Sequence, residues 1–248
     1  MASKSETGYA VNITNIEKMW QSVLGFGIRY QPGNTDILPA ALKVELDAER
    51  ALLKKLNVKA VPWIKAVNTR EDAIEDLSTL CRRIWESVVS SKASSKFADD
   101  IQSLVKKITG VRATPKIVMT KDATLLPTDK SIKQISASQM GIDNRLNHFD
   151  ALIQLLKAEP LYAPNETDLK TTTLDAKYTA ISDANSAVIT AWPDLANARI
   201  ELRNKLYFAE CNGNELAGKV KKYVRSAFGP SSPQYKQISG LKFTKPSK

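Results

Sequence analysis

The chain holds one histidine, His148, and two cysteines, Cys81 and Cys211. That is a small stock of groups for nucleophilic or metal chemistry. A Ser-His-Asp triad has a single candidate base, and no G-x-S-x-G elbow accompanies it. Histidine-based zinc sites, H-E-x-x-H among them, need more histidines than the chain has. No D-x-D-x-D-G loop supplies calcium ligands, although carboxylate-only sites stay open. Cys81 falls on an apolar helical stripe and reads as a small buried hydrophobe. Cys211, in Glu210-Cys211-Asn212-Gly213-Asn214, reads as a loop thiol with no neighbouring base. Gly25-Phe26-Gly27 follows a helical pattern, whereas a dinucleotide fingerprint follows a strand, so these glycines are expected to end a helix. Gly218-Lys219 lacks the upstream glycine of a Walker A loop. Asp99-Asp100 and Glu71-Asp72-Glu75-Asp76 fit solvated helix faces. No catalytic residue, cofactor or metal is expected, and the chain reads as a non-enzyme with no small-molecule substrate.

The basic residues are the better candidates for function. The formal charge is +10, from 36 Lys+Arg against 26 Asp+Glu. It is concentrated in two stretches. Residues 101–133 carry Lys106, Lys107, Arg112, Lys116, Lys121, Lys130 and Lys133 against Asp122 and Asp129. Residues 216–248 carry Lys219, Lys221, Lys222, Arg225, Lys236, Lys242, Lys245 and Lys248 with no acid. Lysines interleaved with Tyr223 and Tyr235 can neutralise phosphates and stack on bases. No RNP, KH or helix-turn-helix signature supports that use. Cations also gather at helix C-termini, facing the negative end of the dipole. The contact set expected for an acidic partner or a nucleic acid is Lys106, Lys107, Arg112 and Lys219, with Lys221, Lys222, Arg225 and Lys236.

These residues must be positioned by helices. Ile74, Leu77, Cys81, Ile84 and Val88 step by three and four and share one helix face. Leu38, Leu42, Leu46, Leu53 and Leu56 predict another helix, with Asn34 and Thr35 as caps and Pro39 in or just after its first turn. Asn165 and Thr167 are the matching caps further on. Shorter helices are expected over 14–25, 97–109, 147–158 and 215–228. Pro62 and Pro193 interrupt the long patterns. Either each marks a kinked long helix or each marks a tight turn; no glycine or polar cluster favours the turn. A helix over 35–90 would span about 80 Å, an elongated molecule.

Residues 12–48 align without gaps on 144–180, at an offset of 132. Asn12/Asn144, Asn15/Asn147, Tyr30/Tyr162, Pro32/Pro164 and Asp36/Asp168 are among the identical pairs. An offset of 129 then aligns Asn68-Thr69-Arg70 with Asn197-Ala198-Arg199, and Lys133-Gln134-Ile135-Ser136 recurs as Lys236-Gln237-Ile238-Ser239. The expected fold class is all-α: an elongated helical bundle of two tandem pseudo-repeats with a non-helical C-terminal arm. The boundaries are 12–110 for the first repeat, 111–143 for the connection, 144–228 for the second repeat and 229–248 for the arm, with the repeats packed as one domain. Tyr235, Ile238, Leu241 and Phe243 are the arm's expected anchors, on its own body or a neighbour's, by strand addition among other modes.

The chain resembles an uncharacterised bacterial family of all-helical proteins, chiefly from Bacteroidetes, with an internal duplication. The resemblance rests on Ile135-Ser136-Ala137-Ser138-Gln139-Met140 with Asp143-Asn144-Arg145-Leu146, on Tyr162-Ala163-Pro164-Asn165-Glu166, on Asn197-Ala198-Arg199, and on the C-terminal SPQYKQISGLKF stretch from Ser232 to Phe243. It spans most of the chain, and it implies a helical fold and a bacterial cytosol but no site residues. No apolar stretch approaches a membrane span, and MASKSETGYAVNIT reads as no secretory leader. The expected function is a cytoplasmic structural or scaffolding protein that self-associates, as a homo-oligomer, or binds an acidic protein partner. The alternative is an RNA- or ribosome-associated protein using segments 104–133 and 216–248.

Overall fold

The computed structural model describes residues 8–111 and 140–244. All regular structure in them is helical, and no strand occurs among the described residues. The α-helices are α1 (Tyr9–Gly25), α2 (Pro39–Ile74), α3 (Leu77–Ser90), α4 (Ser95–Thr109), α5 (Ile142–Ala158), α6 (Thr171–Tyr207), α7 (Gly213–Phe228) and α8 (Pro233–Ser239). None is long and apolar enough to cross a membrane. The described residues are all-α, as expected.

Pro62 and Pro193 both lie inside helices, α2 and α6. The continuous-helix alternative therefore holds over the turn. The expected single helix over 35–90 does not hold. It stops at Ile74, and α3 starts at Leu77. Glu71, Asp72 and Glu75 crowd the C-terminal end of α2, where the dipole disfavours anions. Asp76 stands at the N-cap of α3, where the dipole favours one, and its carboxylate pairs with Lys177 at 2.6 Å. The caps also differ from expectation. Asn34 caps a 3-10 turn, Thr35–Ile37, by accepting from the Asp36 N–H, and α2 begins with Pro39 as its first residue. In the second stretch the turn Thr167–Leu169 follows Glu166 and has no side-chain cap, so Asn165 does not serve. Gly25 does end α1. The C-terminal segment is not wholly non-helical, because 233–239 forms α8.

The chain divides into two compact units. The first comprises 1–64 and 190–248, the second 65–189. In the first, α1 packs on α7 and α8, and the turn Thr35–Ile37 packs on α7. Its core includes Met19, Val23, Leu46, Leu202, Val220, Val224 and Ile238. In the second, α4 packs on both α3 and α5, and the turn Thr167–Leu169 packs on α3. Its core includes Cys81, Ile84, Ile101, Ile108, Phe149, Leu152 and Ile181. Both units are thus cut across the repeat boundaries read from the sequence. The first unit takes the front of the first expected repeat and the back of the second, and the second unit takes the remaining pieces.

Two tyrosines 132 positions apart make the same hydrogen bond. The Tyr30 hydroxyl donates to the Ile37 carbonyl at 2.8 Å, and the Tyr162 hydroxyl donates to the Leu169 carbonyl at 2.8 Å. Each buried tyrosine thereby closes the loop that leads into a long helix. Burial pushes both phenols up, Tyr162 to about 12. Tyr30→Phe and Tyr162→Phe should each destabilise the protein by about 1–2 kcal/mol, because a buried carbonyl loses its donor. Urea denaturation would measure this. A loss under a few tenths of a kcal/mol for both variants would remove the hydroxyls from the stability account.

Candidate interaction surfaces

Neither thiol sits in an activating environment. Cys81 is fully buried in the core of the second unit, and burial pushes its thiol up to about 12. Cys211 lies between α6 and α7 with φ of 53°. Its Sγ stands 3.4 Å from the Asp36 carboxylate, and that hydrogen bond raises its pKa. A thiol held protonated by an anion is the reverse of an activated one. His148 is half-buried within α5, where desolvation and then Lys107 lower its pKa. Among the described residues no three His, Cys, Asp or Glu side chains are grouped to hold a metal.

The C-terminal arm docks within its own unit. Ser232 caps α8 by accepting from the Tyr235 N–H at 3.1 Å, and Pro233 fills the first turn. Ile238 is 0% exposed. Tyr235, Leu241 and Phe243 pack partly buried against the same core. Beyond α8 the backbone is held by two asparagines of α1. Asn15 Nδ2 donates to the Lys242 carbonyl at 2.8 Å. The Asn12 amide donates to the Thr244 carbonyl at 2.9 Å and accepts from the Thr244 N–H at 3.2 Å. Asn12 Nδ2 also reaches the Tyr207 hydroxyl at 2.9 Å. Tyr235, Ile238, Leu241 and Phe243 thus all pack against the first unit's own core. They dock through a helix and side-chain amides, without strand pairing.

The expected basic set separates into different roles. Lys221 turns onto the arm. Its ammonium donates to the Ser239 and Leu241 carbonyls and lies 5.5 Å from the Phe243 ring centroid. Desolvation lowers its pKa. Lys219 pairs with Glu215 one turn back, at 2.9 Å. Lys222 and Arg225 on α7, and Lys236 on α8, are exposed. Lys106 and Lys107 occupy the exposed last turn of α4 in the second unit, where Lys106 donates to Gln102 at 2.8 Å. Arg112, the rest of that basic segment and the Lys133–Ser136 stretch lie outside the described residues.

A buried carboxyl was not foreseen from the sequence. Glu49 of α2 is 0% exposed, and neither of its oxygens has a hydrogen bond of normal geometry. It faces Gly213 at the start of α7 so closely that a Cβ there would collide with the carboxylate and with Ile16. Glu45, one turn earlier, pairs with Lys205 at 2.6 Å. Burial first, and then the Glu45 charge, push Glu49 up to about 8; Lys205 and the Gly213 N–H oppose the rise without cancelling it. Burial of this kind favours the neutral form of the carboxyl. A small cavity of about 10 Å³ lies nearby, lined mainly by apolar residues, Ile16, Met19, Leu42, Leu216 and Ala217, with Glu45 and Gly213.

The outer face of α2 carries a second unforeseen feature. Ala40, Val44, Asp47, Ala51, Lys54, Val58 and Val61 recur at alternating steps of four and three, and all seven are exposed. Val44 is 71% exposed, Val58 59% and Val61 48%. The opposite face of α2 is secured inside the first unit by Lys55–Glu201 at 2.5 Å, Lys59–Asp194 at 2.7 Å and the Trp63–Trp192 ring pair at 6.0 Å. These pairs run antiparallel along α6. α6 exposes Asn197 and Asn204 in this stretch, together with the apolar Trp192 and Ile200. Val44, Val58 and Val61 thus form an exposed apolar set on the outer face of α2, a candidate contact surface.

No known protein family, curated protein or solved structure matches the chain. The resemblance to a bacterial helical family stands on its motifs alone.

Proposed function

We propose that the protein is a non-enzymatic structural or scaffolding protein that self-associates through its long helices. The observation that carries this reading is the uncovered face of α2. From Arg50 to its end at Ile74 the helix has no buried residue, yet apolar residues such as Val58, Val61 and Ile64 recur along it. A helix in water depends on burying one apolar stripe. Here a second stripe points outward. The arm, by contrast, engages its anchors within its own unit and leaves the partner surface to the helices.

The chemistry of the thiols supports the non-enzymatic part: neither Cys81 nor Cys211 is held as a thiolate. The motif resemblance supports a bacterial cytosol. Sedimentation equilibrium of the intact chain, from low micromolar to near-millimolar concentration, tests the reading. The weight-average mass should rise above 27.4 kDa with concentration. A mass that stays at the monomer value throughout would reject self-association.

A further inference from the structure

We infer that the outer stripe of α2 is a self-complementary seam that receives a second copy of this chain, antiparallel, about a two-fold axis at Ala51. The inference rests on the self-association reading and names its surface. The residues themselves select this occupant. Read outward from Ala51, the stripe runs Asp47, Val44, Ala40 in one direction and Lys54, Val58, Val61 in the other. The two arms have the same order, charge then apolar, with opposite charges. An isologous contact requires a patch whose two halves complement each other.

The register follows from the charges. With the axis at Ala51, Val44 lies against the partner's Val58, and Ala40 against the partner's Val61. Asp47 then lies near the partner's Lys54, and by symmetry each contact is made twice. A parallel pairing would set Asp47 against the partner's Asp47 and Lys54 against the partner's Lys54, two like-charge contacts in one seam. Lys55 is already paired with Glu201, which leaves Lys54 to face the partner. Asp47 is oriented by Lys43 one turn back, at 2.5 Å. Ala51 at the axis is small enough for two helices to approach closely. Over the 21-residue interval from Ala40 to Val61 the seam is about 32 Å long, and alternating steps of four and three are the spacing of helix-pair seams.

The test uses the intact chain with Cys211→Ser as background. Ala51→Cys should give a disulfide-linked dimer under mild oxidation, because the two new thiols meet at the axis. Asn197→Cys, exposed on α6, should stay largely uncross-linked. Asp47→Lys should weaken the dimer about tenfold in sedimentation equilibrium, and Asp47→Lys with Lys54→Asp should restore it. Helical circular dichroism should be unchanged in every variant. Cross-linking at 51 together with charge-swap rescue supports the seam. An oligomer that ignores both the cysteine position and the charges overturns the seam and leaves self-association by another surface. A strict monomer overturns both.

Discussion

Glu49→Gln is expected to flatten the pH dependence of stability between about pH 5 and pH 8. The sign follows from proton counting. The carboxyl has its ordinary pKa of 4.5 in the unfolded chain and about 8 in the folded one. Between these values the folded state holds a proton that the unfolded state has released. Stability therefore falls as pH rises through this window and levels off above it, at up to about 1.4 kcal/mol per pH unit. The total is on the order of 3–5 kcal/mol, a large share of a typical domain's stability. Gln keeps the shape and cannot ionise, so the variant should be the more stable protein at pH 9 and close to wild type at pH 5. Urea denaturation at four pH values would measure it. An unchanged slope in the variant would assign the dependence elsewhere. The charged and titratable groups facing Glu49 are Glu45, Lys205 and Tyr207. Only Glu49 has neither exposure nor a normal hydrogen bond, so it alone is expected to dominate the slope.

Glu49 also shows where sequence reading stops. A Glu in a lysine-rich helix reads as a solvated residue, because charged side chains are seldom fully buried. What buries it is Gly213, 164 positions away in the chain, whose missing side chain lets α7 approach α2. No local pattern encodes that meeting. The same holds for the outer face of α2. Its inner stripe of Leu42, Leu46, Leu53 and Leu56 was legible at helical spacing, but the outer valines blur the contrast, so periodicity alone does not tell inside from outside. The break after Ile74 was hidden because Glu75-Asp76 carries neither glycine nor proline. Other features were legible because local chemistry decides them. Gly110 follows the Lys-rich end of α4 at φ 72°, a helix stop that glycine makes cheap. Asn12 and Asn15 are buried polar residues on α1, which no local pattern of the sequence marks out. Their task, holding the backbone of residues 242–244, needed the fold to be seen.

Ile238→Ala is expected to cost about 2–4 kcal/mol, the range for truncating a fully buried branched side chain. The residue has no exposure and is surrounded by the α1–α7 core of the first unit. Asn12→Ala should cost about 1–3 kcal/mol by a different route, leaving the Thr244 N–H and the Tyr207 hydroxyl without that partner. The two variants separate packing from clamping. Ile238→Ala should lower amide-exchange protection across α1, α7 and α8, because the core they share has lost a side chain. Asn12→Ala should mainly release 241–244 and leave α8 protected. In both, α3, α4 and the middle of α5 should keep their protection, since their core shares no residue with the arm's. This pattern bears on function through the arm. An arm that serves mainly to reach a partner would tolerate Ile238→Ala with less than about 1 kcal/mol of loss, and its helix would already exchange quickly in the wild-type chain. An arm that completes its own core would show the full loss. The second outcome is expected, because Ile238 is buried as deeply as Val220 and Val224 on the helix beneath it. It would make the arm a part of the first unit's own core rather than a surface held out for a partner.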